Sequence, residues 1–213
     1  MKGNLIIISS PSGGGKGTLI KEVLKIVPDI GYSVSFTTRE MRVSEENGRD
    51  YFFVSRAEFE KLIELGEFLE FAEVHGNLYG TSINRVKIKI DFGQDVILEI
   101  DVQGAESVRN KLPGAVSIFI LPPSFEILKN RLESRATEKL ADVDLRLKNS
   151  FSEIRRFDEY EYVVINDDVL EARADLQTII LAERLKRTRQ TGAIRGILDS
   201  FDTSKISLLG DNT

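Results

Sequence analysis

Apolar residues along the chain follow two periods. Leu5 to Ser9 is a continuous apolar run ending in small residues, which reads as a strand buried on both faces. From Lys16 the period changes. Leu19, Ile20, Val23, Leu24 and Val27 recur at helical spacing, with Lys21, Glu22 and Lys25 between them, and Pro28 closes that helix. Three more buried strands are expected at Val96–Ile100, Val116–Leu121 and Tyr162–Ile165. Helical patterns run from Thr81 to Asp91, from Ser124 through Leu128 and Leu132, from Asp142 to Phe157, and from Asp168 to Arg189, the last with Glu171 completing a capping box. Strands alternating with helices predict an α/β fold, a parallel sheet with helices on both faces.

The stretch from Ser33 to Tyr79 breaks this rhythm. Ser33–Thr37 and Tyr51–Val54 read as short strands, Ala57–Leu65 as a short helix, and Asn47-Gly48 as a turn, which suggests an inserted α+β lobe. Thr191 to Thr213 is polar and predicts a short helix followed by a frayed tail. No internal repeat or low-complexity tract is present.

Composition narrows the chemistry. The 213 residues suit one medium α/β domain with small inserted lobes. There is no cysteine, which excludes disulfides, zinc–thiolate sites and thiol nucleophiles, and the single histidine, His75, cannot build a multi-histidine site. The run Leu5–Ile8 is too short for a signal sequence or membrane span, so a cytoplasmic protein is the expectation. Net charge is −5, whereas a general nucleic-acid binder usually carries a basic surplus. Any polyanion bound here must meet a local cationic cluster.

The first strand and first helix are joined by Ser9-Ser10-Pro11-Ser12-Gly13-Gly14-Gly15-Lys16-Gly17-Thr18. A Gly-rich turn before a helix points backbone N–H groups into one concavity, the helix dipole adds positive potential, and Lys16 can reach outer phosphates. The stretch departs twice from G-x-x-x-x-G-K-[ST]: Ser10 replaces the first glycine and Gly17 the hydroxyl residue that helps hold Mg²⁺. Two remedies stay open. Thr18 supplies the hydroxyl, or phosphates and water hold most of the metal, which Mg²⁺ tolerates.

Further motifs follow in order: Ser35-Phe36-Thr37-Thr38-Arg39-Glu40-Met41-Arg42, Asn47 to Val54, Gly66 to Ala72, Gly76 to Thr81, and Leu98-Glu99-Ile100-Asp101-Val102-Gln103-Gly104. Together with the glycine loop, they resemble guanylate kinase from about residue 3 to about residue 187. The resemblance implies a P-loop core (1–32, 81–124 and 148–190), a GMP-binding lobe (33–80), a small helical lid (125–147) and a C-terminal extension (191–213). It implies the reaction ATP + GMP → ADP + GDP, with dGMP as a further acceptor, in purine nucleotide metabolism. Oligomeric state stays open, a homo-oligomer included.

The resemblance also assigns residues. ATP would meet Ser10 to Thr18 and Asn166. GMP would meet Ser35, Arg39, Arg42, Tyr51, Glu70, Tyr79, Gly80, Thr81, Glu99, Asp101, Gln103 and Gly104. Lys16, Arg39, Arg131, Arg135 and Arg146 would offset charge during transfer. The chemistry agrees. Guanine presents two adjacent donors, N1–H and N2–H₂, which a carboxylate such as Glu70 can accept, whereas adenine would present an unprotonated N1 to it. A mismatched buried polar pair costs about 1–3 kcal/mol. Arginine forks match phosphate oxygens and stay charged. Glu99 stands where the family usually has Asp, and Ala136 where a lid glycine is common. Each residue alone also has a plain reading as solvated charge or packing. Two rival functions are a non-catalytic interaction module and a kinase for another acceptor.

Overall fold

The computed structural model describes residues 2–74, 76–134 and 140–201, and the side chains of 140–143 fall outside that description. His75, Arg135, Ala136 and the expected tail beyond Phe201 therefore lie outside the described residues.

Strand β1 (Leu5–Ser9) leads through the glycine loop to helix α1 (Lys16–Ile26), and a three-residue strand β2 (Ile30–Tyr32) follows. The remaining core strands are β7 (Asp95–Glu99), β8 (Val116–Leu121) and β9 (Tyr162–Ile165). All pair in parallel, in the order β2–β7–β1–β8–β9. The continuous apolar run of β1 has its reason here. Ile6 and Ile8 pack with Leu19, Ile20 and Val23 of α1 and with Leu176 and Ile180 of α7 (Val169–Leu185). Leu5 and Ile7 face the other way, toward Val86 of α3 (Ile83–Asp91) and Ala105 and Val108 of α4 (Val102–Lys111). Both faces are buried, so no polar alternation survives.

The inserted segment carries its own sheet. Strands β3 (Phe36–Thr37), β4 (Phe52–Phe53), β5 (Phe68–Val74) and β6 (Asn77–Ser82) order as β4–β3–β6–β5, with β3–β4 parallel and the other pairs antiparallel. Helix α2 (Arg56–Glu64) seats Phe59 against Phe68 and Leu78. Beyond β8, helix α5 (Phe125–Ser134) and helix α6 (Leu140–Ile154) pack through Leu128, Leu132 and Leu147.

Several boundaries differ from the sequence reading. The helix expected from Thr81 starts at Ile83, because Thr81 and Ser82 remain in β6 and the extended Ser82 caps α3 by accepting from the Arg85 N–H. Helix α6 stops at Ile154 and passes into a 3₁₀ turn, Arg155–Glu159. Helix α7 ends at Leu185, since Lys186 adopts an extended ψ of 132°. Asp168 caps α7 alone, accepting from both Leu170 and Glu171 N–H groups. The reciprocal box occurs instead at α2, between Ser55 and Glu58. Strand β2, the β5–β6 hairpin and helix α4 were not among the expected elements. Thr191–Ser200 forms the short helix α8.

Candidate active site

The loop between β1 and α1 turns tightly enough to need glycine. Gly13 and Gly15 hold φ of 85° and 88°, where a side chain is strained. Gly15 also has no room, because a Cβ there would lie 2.2 Å from Asn166 Nδ2. That amide, at the C-terminal end of β9, donates to the Gly14 carbonyl at 2.9 Å and braces the loop. Arg131 of α5 donates through Nη2 to the Asn166 carbonyl at 2.9 Å. Its Nη1 is buried without a hydrogen-bond partner and would lie 3.7 Å from a Cβ on Gly15. A buried cationic donor beside a glycine loop is an atom that a phosphate oxygen would satisfy.

Helix α6 also grips the loop. Arg146 Nε donates to Ser12 Oγ at 2.9 Å, and the Ser12 N–H donates to Glu153 Oε2 at 2.9 Å. Residues seven apart share a helix face, so one stripe of α6 holds both ends of Ser12. A cavity of about 410 Å³ opens here between Ser10–Gly17, Glu99, Gln103, Arg146 and Asn149. A second, of about 420 Å³, is lined by Tyr32, Ser35, Tyr51, Glu70 and Tyr79. Lys16, Val74, Glu99, Asp101 and Arg146 line both, so the two form one continuous cleft. Lys16 stands at the junction, its Nζ donating to the Ile100 carbonyl at 3.1 Å.

The far end of the cleft is built around carboxylates. Glu70 on β5 is only 5 % exposed, and Thr81 of β6 donates to its Oε1 at 2.6 Å. Burial pushes the Glu70 carboxyl up to about 7. The Thr81 hydroxyl opposes that shift, the Asp101 charge adds to it, and Lys111 opposes it. Asp101 caps α4 by accepting from the Gly104 N–H at 2.7 Å. A Cβ on Gly104 would stand 2.9 Å from Glu70 Oε2 and 3.3 Å from Asp101 Oδ1, so glycine is what lets the two acids approach. Together they form an acceptor-rich wall suited to a ligand edge with adjacent donors.

Of the phosphate candidates, Tyr51 and Tyr79 line the second cavity with Glu70, and Arg39, which lines neither cavity, stands beside them. The Tyr51 and Tyr79 rings are 5.8 Å apart, and the Arg39 guanidinium lies 5.4 Å from the Tyr51 ring centre. Arg39 Nη2 donates to Glu45 Oε1 at 2.7 Å, which holds the fork near those rings. Tyr32 OH donates to Glu99 Oε2 at 3.2 Å. Burial, reinforced by that carboxylate, pushes the Tyr32 hydroxyl up, so it stays a donor. The longer side chain at position 99 finds space against Gly17, where a Cβ would sit 3.4 Å from Glu99 Oε1.

The fold thus gathers most of the residues singled out from sequence, but not all. Arg42 and Thr18 are exposed and lie outside the lining of both cavities, as do the less exposed Arg39, Thr81, Gly104, Arg131 and Asn166. Gly80 serves packing, since a Cβ there would meet Phe59 at 2.9 Å and Phe68 at 3.0 Å. Arg135 lies outside the described residues. Sequence reasoning missed Tyr32, Asn149 and Glu153. The last two carried a signal, being three and seven residues after Arg146 on one helix face.

The chain is similar to known proteins along most of its length. A family model described as guanylate kinase matches residues 2–183. The guanylate kinase of Thermotoga maritima is 48 % identical over 194 residues, covering 91 % of this chain and 94 % of that protein. The guanylate kinase of Neisseria gonorrhoeae is 50 % identical over 199 residues, covering 93 % and 97 %. The crystal structure of guanylate kinase from Anaplasma phagocytophilum superposes with a TM-score of 0.77 at 37 % identity, covering 93 % of this chain and 95 % of that one. On a match this long and this complete, the chain belongs to the guanylate kinase family.

Proposed function

We propose that the two ends of this cleft divide the substrates of the family's reaction, transfer of the γ-phosphoryl group of ATP to GMP. One observation carries the division. Lys16 and Arg146 line both halves, between a glycine loop that offers N–H groups and a buried wall of acids. The loop from Ser10 to Thr18 takes the ATP phosphates, and Asn166 acts by bracing it. Glu70 accepts from guanine N1–H and N2–H₂, Asp101 supports the donor side, and Ser35 and Thr81 face O6. Arg39, Arg42, Tyr51 and Tyr79 hold the GMP phosphate.

Phosphoryl transfer needs two polyanions in line and the moving charge offset, and little covalent chemistry. Lys16, Arg131 and Arg146 supply that charge beside the loop, with Arg135 assigned to the same task from sequence. No general base is needed, because the GMP phosphate is already anionic. The lid segment, by closing, excludes the water that would compete as acceptor.

Mg²⁺ is proposed as the metal. In this reading the ion is held mostly by substrate oxygen and water, which Mg²⁺ tolerates. The oxygen donors this chain offers next to Gly17 are the Glu99 carboxylate, which faces it, and the neighbouring Thr18 hydroxyl. When bound, the ion offsets phosphate charge.

Among the described residues no helix is long and apolar enough to cross a membrane. The proposed partners are dissolved ATP, GMP and dGMP rather than nucleic acid, and the proposed location is the cytoplasm. A coupled assay for ADP release tests the reading with GMP, dGMP, AMP, CMP and UMP as acceptors. Turnover with GMP and dGMP is expected; faster turnover with AMP, or none with GMP, refutes the assignment.

A further inference from the structure

The side chains of Phe68, Leu69 and Glu70 go to three different places. Phe68 packs with Phe59 and Leu78 inside the lobe, while Leu69 packs with Val86, Ala105 and Val108 in the core beneath the main sheet. Glu70 lines the cleft. A regular strand alternates between two faces and cannot do this. The β5–β6 register shows how it happens: Phe68 pairs with Ser82 and Glu70 with Thr81, so Leu69 is the extra residue of a β-bulge. A bulge re-aims the following side chain and takes its extra residue out of the ladder. The Leu69 carbonyl is taken by Lys111, whose Nζ donates to it at 2.5 Å.

Lys111 is the last residue of α4, the helix that Asp101 caps at its other end. Gly104, Val108 and Lys111 follow one another at helical spacing. The same helix stripe therefore faces Glu70 at Gly104, Leu69 at Val108 and the bulge carbonyl at Lys111. We propose that Lys111 is a positioning residue for guanine recognition: its ammonium closes the bulge at Leu69, fixes the aim of Glu70, and places a positive charge beside that acid. The groups facing Glu70 are Thr81 from β6, Asp101 from the start of α4 and Lys111 from its end. Lys16, Glu99 and Arg146 line the same cleft. Of these, Lys111 is the cation whose field acts on Glu70, and it opposes both the burial and Asp101.

This rests on the assignment of Glu70 to guanine, and the test separates the two. Wild-type enzyme, Lys111→Met, Lys111→Gln and Lys111→Arg are compared by steady-state kinetics from pH 6 to 9, with KM measured for GMP and for ATP. Losing a hydrogen bond from a charged donor predicts that Lys111→Met raises KM for GMP about tenfold at pH 7, leaving KM for ATP and kcat within about twofold. The pH below which KM for GMP climbs should move upward. Lys111→Gln keeps a donor without the charge, so it should match wild type at pH 9 and fall between wild type and Lys111→Met at pH 6.5. Lys111→Arg should restore the wild-type profile. A wild-type GMP profile in Lys111→Met overturns the proposal, as does a parallel rise of both KM values with a lowered Tm. Should Lys111→Met fold poorly, Lys111→Gln decides alone, since an unshifted GMP profile there removes the charge role. Failure of the wild type to use GMP would sink the assignment of Glu70 instead.

Discussion

Replacing Glu70 with Gln removes one charge from the floor of the cleft and nearly no volume. Thr81 Oγ1 donates to Glu70 Oε1 at 2.6 Å, so it would fix the amide oxygen and turn the amide NH₂ toward the ligand. Guanine donors would then face a donor. Hydrogen bonds to charged groups contribute about 1.5–3 kcal/mol each, so KM for GMP should rise roughly 10- to 150-fold. ATP does not reach this wall in our assignment, and its KM should stay within about twofold.

The same substitution carries a stability signature. Glu70 rises from 4.5 to about 7 on folding because burial disfavours its anion. Between those values the folded chain binds more protons than the unfolded chain, so stability falls as pH rises through that window and levels off above about 7. The full displacement amounts to about 3 kcal/mol, and at 5 % exposure solvent screens little of it. Gln carries no such penalty. Urea unfolding should therefore find Glu70→Gln close to wild type at pH 5 and more stable at pH 8, by about 3 kcal/mol before the weaker Thr81 bond is counted. In kinetics, wild-type KM for GMP should climb on acidification below about 7. The GMP phosphate itself titrates near 6, so the ratio of variant to wild type isolates Glu70. A stability difference that is the same at both pH values refutes the reasoning. So would equal losses for GMP and ATP.

Other consequences follow from single contacts. Gly104→Ala places a Cβ 2.9 Å from Glu70 Oε2 and 3.3 Å from Asp101 Oδ1, so KM for GMP should rise about tenfold or more while KM for ATP holds, in the same coupled assay. Gly15→Ala meets Asn166 Nδ2 at 2.2 Å and forces a side chain to a φ of 88°, so ATP titration should show at least about tenfold weaker binding with unchanged GMP binding. Glu99 lines both cavities whereas Thr18 is exposed outside them, so a Mg²⁺ titration should find a larger rise in half-saturating metal for Glu99→Gln than for Thr18→Val; the reverse order would give the metal to the hydroxyl.

The parts of the fold legible in the sequence are those where one physical rule acts alone. Strand β1 is buried on both faces and α1 on one, and each pattern repeats over enough residues to be read. Strand β2 is only three residues long, which gives no period to detect. Helix α4 is marked by Val102, Ala105 and Val108, a narrow stripe interrupted by Gly104 and preceded by an Asp that reads equally as a ligand. Asp101 caps the helix and also lines the cleft. Arg146 was legible as a cation, but its contact with Ser12 spans 134 residues and no local pattern encodes it.

Strand β5 was hidden for a different reason. Its polarity is inverted at the decisive point: Glu70 is 5 % exposed and the neighbouring Phe71 is 48 % exposed. A pattern reader expects the phenylalanine inside and the acid outside. The bulge at Leu69 produces the inversion, the Lys111 donor satisfies its carbonyl, and Gly104 leaves room for the buried acid. Each device serves a carboxylate whose ionised form destabilises the ligand-free fold. Guanine N1–H and N2–H₂ are the groups that would recover that stability on binding. Discrimination against adenine would then arise because adenine offers the buried anion no equivalent pair of donors. On the proposed assignment, local disagreement with the hydrophobic pattern is where this chain would concentrate its specificity.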